Sequence, residues 1–296
     1  MIPYPLAGPA VVGNDITVDL MLTQPTRITR YLSDLTLQGF FADRIFPNAG
    51  GVSGGAVLYN QLTQNDLYPT RDVDFVEPGA EFPIVDFARP TPRTAQVEKF
   101  GGKFFVTDEA VRRNDSSLLR QGVQKLANAI QRKIHDRALQ ELAEEFTALG
   151  ANAQVVTSVG WSAGASTTVQ NVKPGAMPAA DFQIVQLAAD EKELGVTFDT
   201  WILNPADAVN FKLTYGSNWR EVLNDNGASF VVTNRQTAGE AWVFQSGTVG
   251  EMRLEVPLST RTWEDTDGRE VTWVQSGVRP VFYVTNPYSI AKVVGL

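Results

Sequence analysis

Cysteine is absent from the 296 residues, and histidine occurs once, as His135. The first absence excludes disulfides, thiolate metal sites and cysteine nucleophiles. The second excludes most histidine-based metal sites and leaves one imidazole as a candidate base. Long apolar runs are lacking too: no stretch approaches the roughly 18 residues that a membrane-crossing helix needs. The N-terminus, MIPYPLAGPAVVGNDITVDL, has no basic segment and is broken by Pro3, Pro5 and Pro9, which argues against a secretory signal. Basic residues are outnumbered 25 to 33, for a formal net charge of −8. That balance argues against a chain that coats nucleic acid through clustered Lys and Arg. What is present is an ordinary globular composition, 43% apolar with 24 glycines. At about 150 residues per domain it fits two domains or one large one. The expectation is a soluble protein made in a cytoplasm.

Residues 1–25 are punctuated by proline and glycine, which predicts an extended arm, either frayed or laid across another molecule. From Thr26 to about Gln38 the pattern predicts a short amphipathic helix with Ile28, Tyr31, Leu32 and Leu35 on one face. PNAGGVSGG at 47–55 predicts a flexible joint. From about Ala56 to Val106 the composition is strand-like; Pro78-Gly79 signals a turn, and the prolines confine the region to edge strands or an open ribbon. A ribbon with arms of about 20 residues would reach roughly 65 Å at about 3.3 Å per residue. A two-stranded ribbon is marginal alone in water, so it needs a partner surface from its own chain or a neighbour.

The clearest helix follows. Asn114 or Asp115 can cap it, Leu119, Val123, Leu126, Ile130, Ile134, Ala138, Leu142 and Phe146 recur at gaps of three and four, and Gly150 suits its end. Ser116 to Leu149 gives about 50 Å of helix at about 1.5 Å per residue, which is a structural spine more than a catalytic element. Beyond it, VVTSVGWSAGASTTVQNVKPG reads as strand and loop, and Asp181 caps a second helix that Gly195 stops. TWILN predicts a buried strand, and Asn204-Pro205 opens a third, short helix. Asp267-Gly268 between TRTW and EVTWV signals a hairpin, and PVFYV and SIAKVVGL predict final buried strands.

Two G-x-S-x-G patterns place Ser53 and Ser162 in glycine-rich turns. A nucleophile elbow needs an imidazole within reach of such a serine. His135 precedes Ser162, so the usual chain order fails there; for Ser53 the base would sit inside the long helix. Extended segments follow both serines, and a glycine-loop role is favoured. His135 itself falls at the edge of the helical stripe, with a general base or pH sensor as the alternative. No lysine completes a phosphate loop after the glycines at 50–55 or 101–102. The acids Asp72 and Asp74, Glu144 and Glu145, and Glu264, Asp265 and Asp267 do not reproduce a calcium loop, and the last group reads as a turn. Arg112, Arg113, Lys125, Arg132, Lys133 and Arg137 interleave with acids on a mixed-charge helix face, with non-specific contact to packaged nucleic acid as the alternative.

The order of parts resembles the major capsid protein of tailed bacteriophages. The segments with this flavour are FFADRIFP, VEPGAEFPIVDF, EKFGGKFFVTDEAVRRND and NPADAVNFKLTYG. The resemblance covers nearly the whole chain and rests on element order, with no catalytic signature. It implies the Hong Kong 97-like α+β fold. The expected division is an N-terminal arm at 1–45, an extended loop and joint at 46–106, a peripheral domain at 107–150 and 281–296, and a mostly axial domain at 151–280.

The implied function is a structural, non-enzymatic subunit of an icosahedral virion, assembled in the host cytoplasm as hexamers and pentamers around double-stranded DNA. It implies no cofactor, no catalytic residue, no metal and no membrane. Partners are copies of the chain itself, separate scaffolding, portal or cement proteins, and DNA held non-specifically. Interface roles are expected for Phe75, Phe82 and Phe87, with Arg71, Asp72, Asp74, Arg89 and Arg93 as charge partners, and for Trp219 and Arg220 near the capsomer axis. Some members of the family crosslink through a ribbon lysine. Here the ribbon has only Lys99 and Lys103, near its base, so no crosslink is expected. With the arm starting near Met1, scaffolding is expected to be a separate protein or absent. The alternatives are an encapsulin-type compartment shell, a phage tail-tube or connector protein, and, from another class, a serine hydrolase using Ser162.

Overall fold

The computed structural model describes residues 18–37, 40–63, 66, 73–84, 92–161, 175, 177–267 and 269–296. In chain order its elements begin with α1 (Val18–Thr23), α2 (Pro25–Leu37), α3 (Ala42–Ile45), β1 (Asn48–Gly51), β2 (Ala56–Tyr59), β3 (Arg93–Gln96) and β4 (Phe100–Thr107). Next come α4 (Asp108–Arg112), α5 (Ser116–Ala148), β5 (Gln154–Thr157), α6 (Pro178–Asp190), β6 (Thr200–Leu203), α7 (Pro205–Tyr215) and α8 (Trp219–Asp225). The chain then runs through β7 (Ser229–Val232), β8 (Glu240–Phe244), β9 (Gly250–Asp265), β10 (Val271–Val284) and β11 (Ile290–Val294).

The expected spine is α5, 33 residues long. Asp115 is its cap: the carboxylate accepts the Ser117 N–H at 3.0 Å. The apolar stripe is its buried face, with Leu119, Val123, Ala138 and Leu142 wholly enclosed. A fully buried Leu or Val contributes about 1.5–3 kcal/mol over its exposed state, so this one face supplies much of the larger core. Gly150, at φ +56°, ends the run in a conformation that side chains disfavour.

The second packing layer is a four-stranded sheet in the order β1-β9-β10-β4. β9 and β10 form the expected long hairpin, with Trp273 opposite Trp263; Gly268 of its turn lies outside the described residues. β4 adds to the other side of β10, from Val271 opposite Thr107 to Val278 opposite Phe100. Helix α5 crosses this sheet at glycines. A Cβ on Gly122 would lie 2.5 Å from the Phe104 ring, and one on Gly102 would lie 2.8 Å from Leu126 Cδ1.

The arm expected over 1–25 is not extended from Val18 onward, and the stretch to Ile45 packs on its own chain. Val18, Ile28, Leu32, Ala42 and Ile45 are enclosed in the same core as α5. The predicted face of Ile28, Tyr31, Leu32 and Leu35 is the face that packs. The Val18 N–H donates to Asn114 Oδ1 at 2.8 Å, which ties α1 to the start of the spine. These apolar residues find burial at home, so this stretch does not need a neighbour; residues 1–17 lie outside the described residues.

A five-stranded sheet, ordered β5-β11-β8-β6-β7, forms a separate layer. One face carries Trp201, Leu203, Ala241, Val243, Ala291 and Val293 against α6, α7 and α8. Asn204 caps α7 by accepting the Ala206 N–H at 3.0 Å, with Pro205 in the first turn, as the Asn-Pro pair predicts. Asp181 does not cap α6, which starts three residues earlier at Pro178. Its buried carboxylate instead accepts the Val159 N–H at 3.1 Å, the Trp161 Nε1–H at 2.7 Å and the Ser158 hydroxyl.

Strand pairing also divides the chain differently from the expected 107–150 with 281–296 against 151–280. The limit at 280 falls inside β10, which bonds to β9 along most of its length. β9 and β10 therefore belong to the sheet that packs against α2 and the spine helix. β11 lies in the other sheet, parallel to β5 and antiparallel to β8.

Candidate assembly surface

The excursion between β2 and β3 is held by a short ladder, from Ala56 opposite Gln96 to Tyr59 opposite Arg93. Among the described residues no further ladder joins its arms; residues 64, 65, 67–72 and 85–91 of the expected ribbon lie outside the described residues. Its tip, 73–84, turns where Pro78-Gly79 predicts. The Ala80 N–H donates to the Glu77 carbonyl at 3.0 Å, and Gly79 at φ +91° occupies the left-handed position of a type II turn. Phe75 and Phe82 are 87% and 79% exposed, and Val73 and Ile84 are also open. Between them stand Asp74, Glu77 and Glu81, with no basic residue from 73 to 84.

Arg93 is at the base, away from that tip. Its Nη1 donates to Glu145 Oε2 on α5 at 2.6 Å and to Gln61 Oε1, while Gln61 Nε2 reaches the same carboxylate at 2.7 Å. One turn or two earlier on α5, Arg137 donates to Glu98 at 2.6 Å and Glu141 at 2.7 Å, and lies 3.6 Å from Glu144. A cavity of about 510 Å³ opens among these charges and Tyr59. Burial pushes Glu141 above its usual carboxylate range despite Arg137. Burial works against the charge on Arg137 as well, but Glu98 and Glu141 outweigh it and hold the guanidinium's pKa up. The network latches the root of the excursion to the spine helix.

The four-stranded sheet has a second face. Phe104, Val106, Val274 and Val278 pack toward α5, so the alternation of a pleated strand sends their neighbours to the other side. There Phe105, Trp273 and Trp263 form one row across β4, β10 and β9. Trp263 and Trp273 stack at 6.3 Å between centroids, and Phe105 meets Trp273 edge-on at 5.4 Å. The next row is Lys103, Gln275 and Arg261, with Lys103 Nζ 4.3 Å from the Trp273 ring and Arg261 donating to Gln275 at 2.8 Å. The row after that is Gly101, Gly277 and Ser259. Beside it a depression of about 210 Å³ is bordered by Lys99, Arg261 and Arg279. Arg279 pairs with Glu255 at 3.0 Å; Lys99, Lys103 and Arg261 form no ion pair among the described residues.

The residues marked from sequence are thus dispersed. Asp74, Phe75 and Phe82 share the tip and Arg93 the base. Trp219 and Arg220 start α8, where Trp219 is half-buried with Lys212 Nζ at 4.9 Å and the Arg220 guanidinium at 5.0 Å from its ring. Arg71, Asp72, Phe87 and Arg89 lie outside the described residues. The tip carboxylates Glu77 and Glu81 and the aromatic and cationic rows escaped notice. The only signal for the two rows was the period-two spacing in KFFVT, STRTWED and VTWVQSG, which becomes a surface once register is known.

Among the described residues, nothing is arranged for hydrolytic chemistry. His135 is not at the stripe's edge: it is 5% exposed, its ring 4.0 Å from Phe41 and 5.2 Å from Phe40. Its Nε2 accepts the Phe41 N–H at 3.3 Å, so the lone pair a base would use is occupied. Burial, aided by Arg235 and opposed by Asp136, lowers its pKa to about 4. Ser162 lies outside the described residues, and Ser53 is on an exposed loop. Glu144 and Glu145 are engaged with arginines, Asp265 accepts the Trp273 Nε1–H at 3.2 Å, and no group of acids or histidine among the described residues is placed to hold a metal. No helix among them is long and apolar enough to cross a membrane.

Comparison with known proteins follows the same line. Among solved structures, one from Mycobacterium phage Bobi superposes with a TM-score of 0.60 at 15% identity, covering 88% of this chain and 89% of that one. The capsid of the cyanophage P-SCSP1u gives 0.55 at 12% identity, covering 86% and 88%. A virus-like particle from Pyrococcus furiosus gives 0.53 at 11% identity, covering 90% and 98%. At such identities the likeness is one of fold, and the fold is the Hong Kong 97-like α+β architecture. No curated protein matches in sequence. The sequence profile of the phage capsid protein family, however, matches residues 90–293, more than two thirds of the chain, and the protein belongs to that family.

Proposed function

We propose that the chain is the repeating subunit of an icosahedral shell, assembling as hexamers and pentamers around double-stranded DNA through non-covalent contacts. As a phage capsid protein it is a structural component of the virion and not an enzyme. The observation that carries the finer reading is the tip at 73–84. Phe75 and Phe82 bury almost nothing on their own chain, although a short ladder and an ionic latch fix the root of their excursion. Large exposed apolar side chains on a presented segment mark a contact with another molecule.

In this reading the spine helix and four-stranded sheet form the peripheral part of a capsomer, and the five-stranded layer the axial part. Trp219 and Arg220 turn toward the axis. Uncovered Val209 and Leu213 on α7 support a contact there. The absence of lysine from 60 to 95 supports a shell without ribbon crosslinks. Assembly takes place in the host cytoplasm with separate scaffolding and portal proteins, and cement proteins where the shell needs them. Electron microscopy of the purified chain tests this: closed particles are expected, and tubes or rings would overturn it. Particles boiled in denaturant should run as one band at 32.4 kDa.

One observation favours a second reading, a compartment shell that packages protein cargo. That reading expects an N-terminal helix inside the shell, and α1 and α2 are helices seated against α5. Nuclease-protected DNA in the particles favours the virion; co-purifying protein without DNA favours the compartment.

A further inference from the structure

We propose that the fork between β3 and β10 is a binding site for an extended peptide segment of another protein, which adds a strand residue opposite Phe282 and sets a Lys or Arg side chain against Glu141 and Glu145. The site lies within one chain, so the inference goes beyond the shell reading and does not depend on it.

The fork comes from a ladder that stops early. β4 pairs with β10 as far as Phe100 opposite Val278, and the Glu98 N–H continues the register by donating to the Pro280 carbonyl at 3.0 Å. One step further, Gln96 would stand opposite Phe282. Instead β3 leaves to pair with β2, with Ala56 opposite Gln96, and forms no ladder with β10. On the other side of β10, Met252 stands opposite Phe282 but donates its N–H away, to the Pro47 carbonyl at 3.0 Å. Met252 and Phe282 are therefore a non-hydrogen-bonded pair, and both backbone groups of Phe282 point into the fork. The edge is occupied again two residues on, where Gln61 Nε2 donates to the Val284 carbonyl at 3.2 Å. An open N–H and C=O on one residue form the two-bond face that a peptide strand completes.

The cavity of about 510 Å³ beside Tyr59 occupies this fork, within the roughly 300–1,000 Å³ usual for ligand pockets. Residues directly opposite in a sheet put their side chains on the same face. Phe282 packs in the core on the α5 side, so a residue paired with it points at the helix, where Glu141 and Glu145 line the cavity. With Glu98, these carboxylates meet only Arg93 and Arg137 in the lining, which leaves an excess of negative charge. Burial holds Glu141 above its ordinary range, and a cation from outside relieves that. Arg137 Nη1 is a buried donor without a hydrogen bond, and a carbonyl oxygen of the incoming segment satisfies it.

The chain's own basic strands are engaged elsewhere. Among the described residues, Lys103 is in β4 on β10, Arg253 and Arg261 are in β9 between β1 and β10, and Lys292 is in β11 between β5 and β8; Arg93 in β3 lines the fork itself. The segment therefore comes from a different protein.

The test titrates the unassembled full chain with three fluorescein-labelled, C-terminally amidated pentapeptides. One is Thr-Val-Lys-Val-Thr, the second has Glu in place of Lys, and the third is the first with its central amide N-methylated. Fluorescence anisotropy gives the affinity, and ¹⁵N-phenylalanine labelling reports the Phe282 amide, assigned with Phe282→Leu. The lysine peptide should bind and shift the Phe282 amide. The glutamate and methylated peptides should each bind about tenfold or more weakly, the first through charge and the second through a lost hydrogen bond. Glu141→Gln with Glu145→Gln should abolish the preference for lysine, with thermal unfolding confirming the fold; the peptide comparisons on the wild-type chain decide the matter without it. No binding by the lysine peptide, no shift at Phe282, or equal binding by the glutamate peptide overturns the inference. Equal binding by the methylated peptide overturns it too, by assigning the cavity to an organic cation without strand pairing. The shell reading stands under each of these results, because particle formation tests it separately.

Discussion

Acidification should cost this protein stability through one side chain, and the single histidine makes the effect measurable. The His135 imidazole is enclosed, with Phe40 and Phe41 against it and the Phe41 N–H pointing at Nε2. A proton on Nε2 would set donor against donor and place a charge in the core. The folded-state pKa is accordingly lowered from 6.5 to about 4 by burial and then by Arg235, with Asp136 opposing. In the unfolded chain the imidazole takes its proton near 6.5. Between 6.5 and 4 the unfolded state therefore binds the extra proton and the folded state does not. The stability is present above 6.5 and is lost as the pH falls toward 4. At about 1.4 kcal/mol for each pKa unit, the loss is about 3 kcal/mol, a large part of the roughly 5–15 kcal/mol that holds a typical domain. Urea unfolding of the unassembled chain at steps from pH 7.5 to 4.5 would measure it. The His135→Gln variant should show a flatter profile by that amount, since carboxylate effects are common to both proteins. The one imidazole proton resonance gives the pKa directly. A titration near 6.5, or parallel profiles for the two proteins, would refute the reasoning.

Phe75→Ser with Phe82→Ser should leave the unfolding free energy of the unassembled chain within about 0.5 kcal/mol while sharply lowering particle yield, because both rings are exposed in the single chain. Gly122→Ala normally favours a helix by about 1 kcal/mol. Here the new methyl would meet Phe104 at 2.5 Å, so a loss of about 1–3 kcal/mol is expected, with partial recovery when Phe104→Leu is added. Arg137→Ala should cost about 2–4 kcal/mol at pH 7 by stranding the buried Glu141 carboxylate. Glu141 already lies above its ordinary pKa, and losing its cation pushes it higher. Stability from a raised carboxylate is present at low pH and lost as pH rises through the folded value, so the variant's deficit should shrink toward pH 4. A deficit that grows on acidification would count against the latch.

The legible parts of the fold were those written in neighbouring residues. The gaps of three and four from Leu119 to Phe146 marked the spine, Asp115 and Gly150 its limits, and Pro78-Gly79 and Asp267-Gly268 the turns. What stayed hidden depends on residues far apart in sequence. The start of the chain looked like an arm because nothing local says that Val18 will bond to Asn114. His135 follows Ile134, about 100° around the helix from the stripe, and became core only because Phe40 and Phe41 close over it. Ala291 gave no sign that Gln154 would lie beside it. The same limit governs the candidate surface. Phe75 and Phe82 stood out one by one, whereas the row from Phe105 through Trp273 to Trp263 exists only after three strands have chosen their register.

The place of β11 inside its sheet makes the five-stranded layer depend on the last residues of the chain to be synthesised. It is an interior strand, bonded on one side to β5 and on the other to β8, although β5 and β8 are made long before it. A polypeptide broken off before Ile290 leaves β5 with no neighbour and β8 with a bare edge. Premature termination during translation would thus yield copies whose five-stranded layer cannot close. A chain that stops short of this strand is expected to expose the edges of β5 and β8 and to unfold more readily, which limited proteolysis of a 1–289 variant would register.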